Sequence, residues 1–233
     1  MTQPGLVREF VTIITNVAVP YNEPPSMVLR RRIVVGIAVA AGAAVLGYAL
    51  TRDPGEPAFY WLTLAVAAIW ATGALVSGPL HLGVVRFRGR YERPVFTGTG
   101  IGLVLGGVFV LGALAISKIP AVADSVDPLM RFANEGNLRL VVTIVVVNAI
   151  AEEMFFRGAL YTALGRHHPL PVSALLYAAV TAVSGSWMLV VAALVLGTVC
   201  GIERRATNGV LAPVLTHLVW GFIMVLALPP LFG

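Results

Sequence analysis

The chain has 233 residues, 58% of them hydrophobic and only 12% charged, with mean hydropathy +0.88 and a net charge of +5. A soluble domain usually carries about 25% charge, so a water-facing surface is excluded and lipid must be part of the solvent. The positive charge falls in short clusters between long apolar runs, which points to membrane topology and to no nucleic-acid partner; the single cysteine, Cys200, excludes an internal disulfide.

Residues 1–29 carry no basic start, only short apolar runs and no small-residue cleavage site, so they are not a secretory signal. Leu6, Phe10, Ile13 or Ile14, and Val17 recur at helical spacing. This predicts a short helix on the membrane surface, stopped by Pro20 and the Pro24-Pro25 pair, with an unstructured tail as the alternative.

A span needs about 20 mostly apolar residues to cross roughly 30 Å of hydrocarbon. Such runs lie near 33–51, 58–79, 97–117, 138–164, 170–183, 187–203 and 209–229. The expected fold is therefore all-α, a polytopic membrane bundle of about seven helices. The fifth and sixth runs are short and meet at Ser184-Gly185-Ser186, and Arg204 with Arg205 beyond them favours a re-entering pair.

The cations set the orientation. Arg30, Arg31 and Arg32 precede the first span, Arg86, Arg88, Arg90 and Arg93 follow the second, Arg166 follows the fourth, and Arg204 and Arg205 follow the sixth. Strict alternation puts all of these on one side, while the opposite loops mix Arg52, Lys118, Arg131 and Arg139 with acids. The positive-inside rule makes the first face cytoplasmic, with the N-terminus there and the chain in the plasma (inner) membrane. His81, His167 and His168 fall in or beside those loops and are expected to be solvated. Gly98, Gly102 and Gly106 in the third span, and Gly197 and Gly201 in the sixth, fall four apart, a spacing that lets membrane helices approach closely.

The fourth span contains charges that a membrane does not welcome. It runs from Leu138-Arg139-Leu140 to Asn148 and then Ala151-Glu152-Glu153-Met154-Phe155-Phe156-Arg157. Three ionisable groups near the bilayer centre cost roughly 7–11 kcal/mol on an insertion scale. The Leu, Ile, Val and Phe residues of the run return roughly 4–8 kcal/mol. The polar face must therefore find partner helices or a wet cavity. Glu153 and Arg157, four apart, share a face in the favourable acid-first order. Glu152 points about 100° away, on the face of Asn148 and Phe156, and is the carboxylate left to act as a base on water.

Glu152-Glu153-x-x-x-Arg157 resembles the signature of the intramembrane glutamate endopeptidases that include the CAAX prenyl endopeptidases and the bacteriocin-processing and immunity proteins. Similarity continues from about 145 to 228. Ser173 to Val180, with Tyr177, is similar to the second motif, an aromatic followed four residues on by His. Gly201 to His217 is similar to the approach to the third motif, His followed four residues on by Asn. Thr181 stands where the second-motif His is expected, and Gly221 where the third-motif Asn is expected.

The resemblance implies that Glu152 activates the attacking water, Glu153 and Arg157 support it, and His217 donates to the oxyanion; unless a neighbour such as Ser184, Ser186 or Asn148 substitutes for the missing groups, catalysis is expected to be feeble. At about 1.5 Å per residue, Glu152, Thr181 and His217 lie at similar depth below the cytoplasmic face, toward which the site is expected to open. No HExxH occurs, so no metal and no cofactor is expected; Glu152, Glu153 and His217 are the one set left open as ligands.

The expected division is 1–29 as a cytoplasmic segment, 30–136 as helices one to three, and 137–233 as the peptidase-like core. Three functions follow. The first is a peptide hydrolase acting on a peptide or membrane-protein substrate. The second, suggested by Thr181 and Gly221, is a catalytically impaired relative serving as an accessory subunit of a larger membrane complex such as an envelope transporter. The third is a transporter with Glu152 as proton relay, for which no internal repeat speaks. Membrane lipid is a partner in each.

Overall fold

The structure is a computed structural model and describes residues 6–52, 56–118 and 138–232. Helix α1 (Leu6–Thr15) is followed by α2 (Pro25–Ala49) and α3 (Pro57–Ser77). Both α2 and α3 begin on proline, whose missing N–H costs nothing in a first turn. Val85–Phe87 (β1) and Arg90–Glu92 (β2) form an antiparallel hairpin where the sequence predicts only a basic loop. Arg88 (φ 48°) and Gly89 (φ 79°) supply the two left-handed residues that a two-residue hairpin turn requires. Helix α4 (Val95–Ile116) follows.

Helix α5 (Leu138–Glu153) runs through a π-helical stretch, Met154–Leu160, into α6 (Tyr161–Leu164). Then come α7 (Pro169–Thr181), a 3-10 turn (Ala182–Ser184), α8 (Trp187–Thr207), α9 (Leu211–Ala227) and α10 (Pro229–Phe232). Among the described residues, five helical segments are long and apolar enough to cross a membrane: α2, α3, α4, α8 and Leu211–Phe232; Pro169–Ser184 is a shorter apolar helix. The α5-to-α6 run is the charged segment between them. The chain is an integral membrane protein built as a polytopic helical bundle with one small hairpin.

Close approach of backbones organises the packing. A Cβ at Gly98 would stand 2.5 Å from the Ala212 carbonyl oxygen, and one at Gly102 would stand 2.9 Å from that of Thr216. Glycine at these positions thus seats α4 directly on α9, where Thr216 Oγ1 lies 2.9 Å from Gly98 O. Helices α7 and α8 fold back on one another, α2 lies along α3, and α3 and α9 both pack on α5. The apolar core centres on Trp70, fully buried between Phe155 (4.7 Å between ring centroids) and Phe156 (5.3 Å).

Arginines of two clusters reach backbone carbonyls, most of them at helix ends. Arg30 donates to Val76 O (2.6 Å), and Arg31, which ion-pairs with Glu23, donates to Ser77 Oγ (3.1 Å) and Pro79 O (3.2 Å). Arg32 reaches Ala163 O (3.1 Å), while Arg204 reaches Arg157 O (2.8 Å). Cations at carbonyl-rich C-terminal ends satisfy orphan acceptors and oppose the helix dipole.

The chain after α1 is laced to the same end. Asn16 Nδ2 donates to Ala206 O (2.7 Å), Ala18 N to Arg205 O (3.1 Å) and Asn208 Nδ2 to Val19 O (2.7 Å). His81 departs from the solvated position expected of it. It stacks on Tyr21 at 3.6 Å, and burial together with Arg204 pushes its pKa below the usual histidine value.

Candidate active site

The two adjacent glutamates of α5 face different surroundings. Glu153 is fully buried, and its Oε1 accepts from Arg157 Nη1 (3.0 Å) and lies 3.0 Å from His217 Nδ1. Arg157 is equally buried and covers the face of Tyr177, 4.8 Å from the ring centroid. Glu153 Oε2 and Arg157 Nε and Nη2 are buried with no hydrogen-bond partner among the described residues. Glycine at 197 lets the guanidinium fit, because a Cβ there would stand 3.0 Å from Arg157 Nη2.

Glu152 is half-buried and lines a cavity of about 240 Å³. Asn148 and Phe156, one turn to either side, line the same cavity, as do Trp70, Tyr177 and Thr181. Among the described residues its carboxylate makes one hydrogen bond, from Tyr177 Oη to Oε2 at 2.6 Å. That distance is typical of a hydroxyl donating to a carboxylate.

The π-helical stretch starts at the residue after this pair. A π turn tightens no hydrogen bond but shifts the register of every later side chain, and such stretches recur at functional sites. Side chains support it: Ser173 Oγ donates to Phe156 O (2.9 Å) and Arg204 Nε to Arg157 O. Phe155 and Phe156 are thereby turned onto Trp70, and Phe156 onto Tyr177 at 4.9 Å. The aromatic wall positions the tyrosine that holds Glu152.

The remaining motif positions divide the same way. Thr181 lines the cavity, and its hydroxyl donates to Tyr177 O (2.9 Å), a local helical bond. Asn148 Nδ2 donates to Ile144 O (3.0 Å) while its side chain borders the cavity. Gly221 is elsewhere: it is buried against α5, where a Cβ would stand 3.0 Å from Val145 Cγ1. His217 touches Glu153, not Glu152. Among the described residues no group of three His, Cys, Asp or Glu side chains is placed to hold a metal.

Two further residues belong to these surroundings: Tyr177, read in the sequence only as the second-motif aromatic, and Glu203, which the sequence reading gave no role. Tyr177 is the partner of Glu152, a contact across 25 positions that no local pattern announces. Glu203 is buried, with Oε1 2.9 Å from Thr216 Oγ1 and Oε2 lacking a hydrogen-bond partner among the described residues. An acid at the last residue of the expected span, beside Arg204 and Arg205, reads as a solvated terminus, which hides it.

The bundle thus buries an ion-paired glutamate beside a second one that borders a cavity. Residues 134–223 match the family model described as Type II CAAX prenyl endopeptidase Rce1-like, and this match supports the family membership read from the motif residues. The matched segment contains Glu152, Glu153, Arg157, Tyr177, Thr181, His217 and Gly221. No curated protein and no solved structure matches the chain. The relationship to CAAX-type intramembrane proteases thus rests on the segment from α5 to α9.

Proposed function

We propose that the protein is an intramembrane peptide hydrolase in which Glu152 is the general base. The observation that carries the reading is the unpaired state of this carboxylate: Arg157 is taken by Glu153, and Glu152 borders a cavity with a single tyrosine bond. Glu152 accepts a proton from a water molecule, the hydroxide adds to the scissile carbonyl carbon, and the same proton passes to the leaving amine. Glu153 and Arg157 hold the helix and fix His217. With Nδ1 donating to Glu153, His217 steadies the oxyanion only as the imidazolium, when Nε2 also donates.

Thr181 donates a hydrogen bond but carries no proton between partners near neutral pH. The missing acid–base group and the missing oxyanion donor at Gly221 are each worth about 10²–10³-fold or more, so turnover is slow. The substrate is a peptide or membrane-protein segment, and the site opens toward the cytoplasmic side of the plasma (inner) membrane.

One observation favours a second reading, an accessory subunit of a larger membrane complex. At Gly221 the helix is packed against Val145, with no side chain directed to the cavity. A comparison of wild type with Glu152→Gln separates the two. The hydrolase reading expects uncut membrane substrates to accumulate in the variant, with cleavage of a reconstituted substrate down about 10²–10⁴-fold. An unchanged set of membrane peptides, with a stoichiometric partner co-purifying from both strains, overturns it.

A further inference from the structure

A second cavity, of about 420 Å³, lies between α1, the β1–β2 hairpin and the first turn of α4. That volume is in the range of small-molecule sites. Its apolar walls are Val7, Phe10 and Ile13 from α1, Val85 and Phe87 from β1, and Phe96 from α4, with Glu92, Arg93 and Thr97 completing the lining. The apolar surface is left open: Phe96 is 89% exposed and Val7 79%. Because α4 is a membrane span that begins at Val95, this groove sits where hydrocarbon gives way to headgroups.

The hairpin that forms one wall carries Arg86, Arg88, Arg90 and Arg93 against one acid, Glu92, and Tyr91 beside them is 76% exposed. Arg93 is committed to Gly83 O (2.9 Å), and Arg88 leans over its neighbour Phe87. Arg86, Arg88 and Arg90 are exposed. Apolar walls at span level beside an arginine-rich hairpin, with Arg88 over the ring of the wall residue Phe87 and Arg90 paired across from it, match one amphiphile in both halves. We infer that this groove is a binding site for an anionic phospholipid of the leaflet that the arginines face, its acyl chain against Val7, Phe10 and Phe96 and its phosphate at the hairpin. The occupant is argued from charge complementarity: a zwitterionic lipid supplies the chain but not the net charge.

Native mass spectrometry of the full chain in detergent tests this, with equimolar phosphatidylglycerol and phosphatidylcholine of identical acyl chains. Wild type should retain phosphatidylglycerol preferentially. Juxtamembrane arginines are each worth about fivefold, so Arg86→Gln/Arg88→Gln/Arg90→Gln should lower the preference by roughly a hundredfold. Phe96→Asp should weaken retention of both lipids. Raising the salt should erode the wild-type preference, which tests the site even where the triple variant is poorly folded. Equal retention of the two lipids by wild type, a preference indifferent to salt, or a folded triple variant that keeps it overturns the proposal, as does a co-purified protein found cross-linked at Phe96 in place of lipid.

Discussion

Glu152 and Glu153 are neighbours in sequence and opposites in setting. One carboxylate is sealed among Arg157 and His217, fully buried, its charge matched by a guanidinium 3.0 Å away. The other is half-buried, held by a tyrosine hydroxyl, and stands on a cavity wall. The 100° turn between successive helical residues is enough to separate a group that holds the bundle together from one free to react. Buried charges cost several kcal/mol unless paired, so the sealed glutamate is an anchor. The open one has space beside it and, among the described residues, no ion pair of its own, a setting suited to proton transfer.

The sharpest way to break this contrast is to remove the anchor's partner. Arg157→Leu leaves Glu153 buried with only His217 beside it and should cost about 3–5 kcal/mol, read as a large drop in the thermal midpoint in detergent. Glu152→Gln should leave that midpoint nearly unchanged. Equal destabilisation by the two substitutions would make both glutamates structural and erase the distinction.

The two motif departures should respond in opposite directions. Thr181 borders the cavity, so Thr181→His should be accommodated and raise hydrolysis, by up to about 10²-fold if the imidazole takes up acid–base work. Gly221 meets Val145, so Gly221→Asn should overpack the α5–α9 contact and cost about 1–3 kcal/mol. A rate assay on the first and a melting curve on the second check the pair. A smaller effect is expected of Tyr177→Phe, which removes only the hydroxyl facing Glu152. It should cost about 1–3 kcal/mol, in stability or in the barrier to hydrolysis, and shift the pH dependence of any cleavage that remains.

Much of this was legible in the sequence because it is local. Apolar run lengths locate the membrane helices, and the four-residue spacing of Gly98, Gly102 and Gly106 marks the face that α4 presents to α9. The i, i+4 rule pairs Glu153 with Arg157 and puts Glu152 on the face of Asn148 and Phe156, which the structure finds around one cavity. What escaped depends on distant pairing or on backbone detail. The tyrosine on Glu152 and the histidine on Glu153 are contacts across 25 and 64 positions. The π-helical stretch from Met154 arises from packing of Phe155 and Phe156 on Trp70, with Ser173 and Arg204 on its carbonyls, and no residue in it advertises the change. The hairpin reads as a loop because four arginines outweigh the strand signal of three-residue strands.

The most direct test of Glu152 as the free carboxylate needs no substrate. A hydrophobic carbodiimide applied to the protein in membranes, followed by peptide mass spectrometry, reads which of the two neighbours a small reagent can reach. Modification at Glu152, with Glu153 untouched until Arg157 is replaced, is the predicted result. Modification of Glu153 in the wild-type protein, or of neither glutamate, would contradict the account.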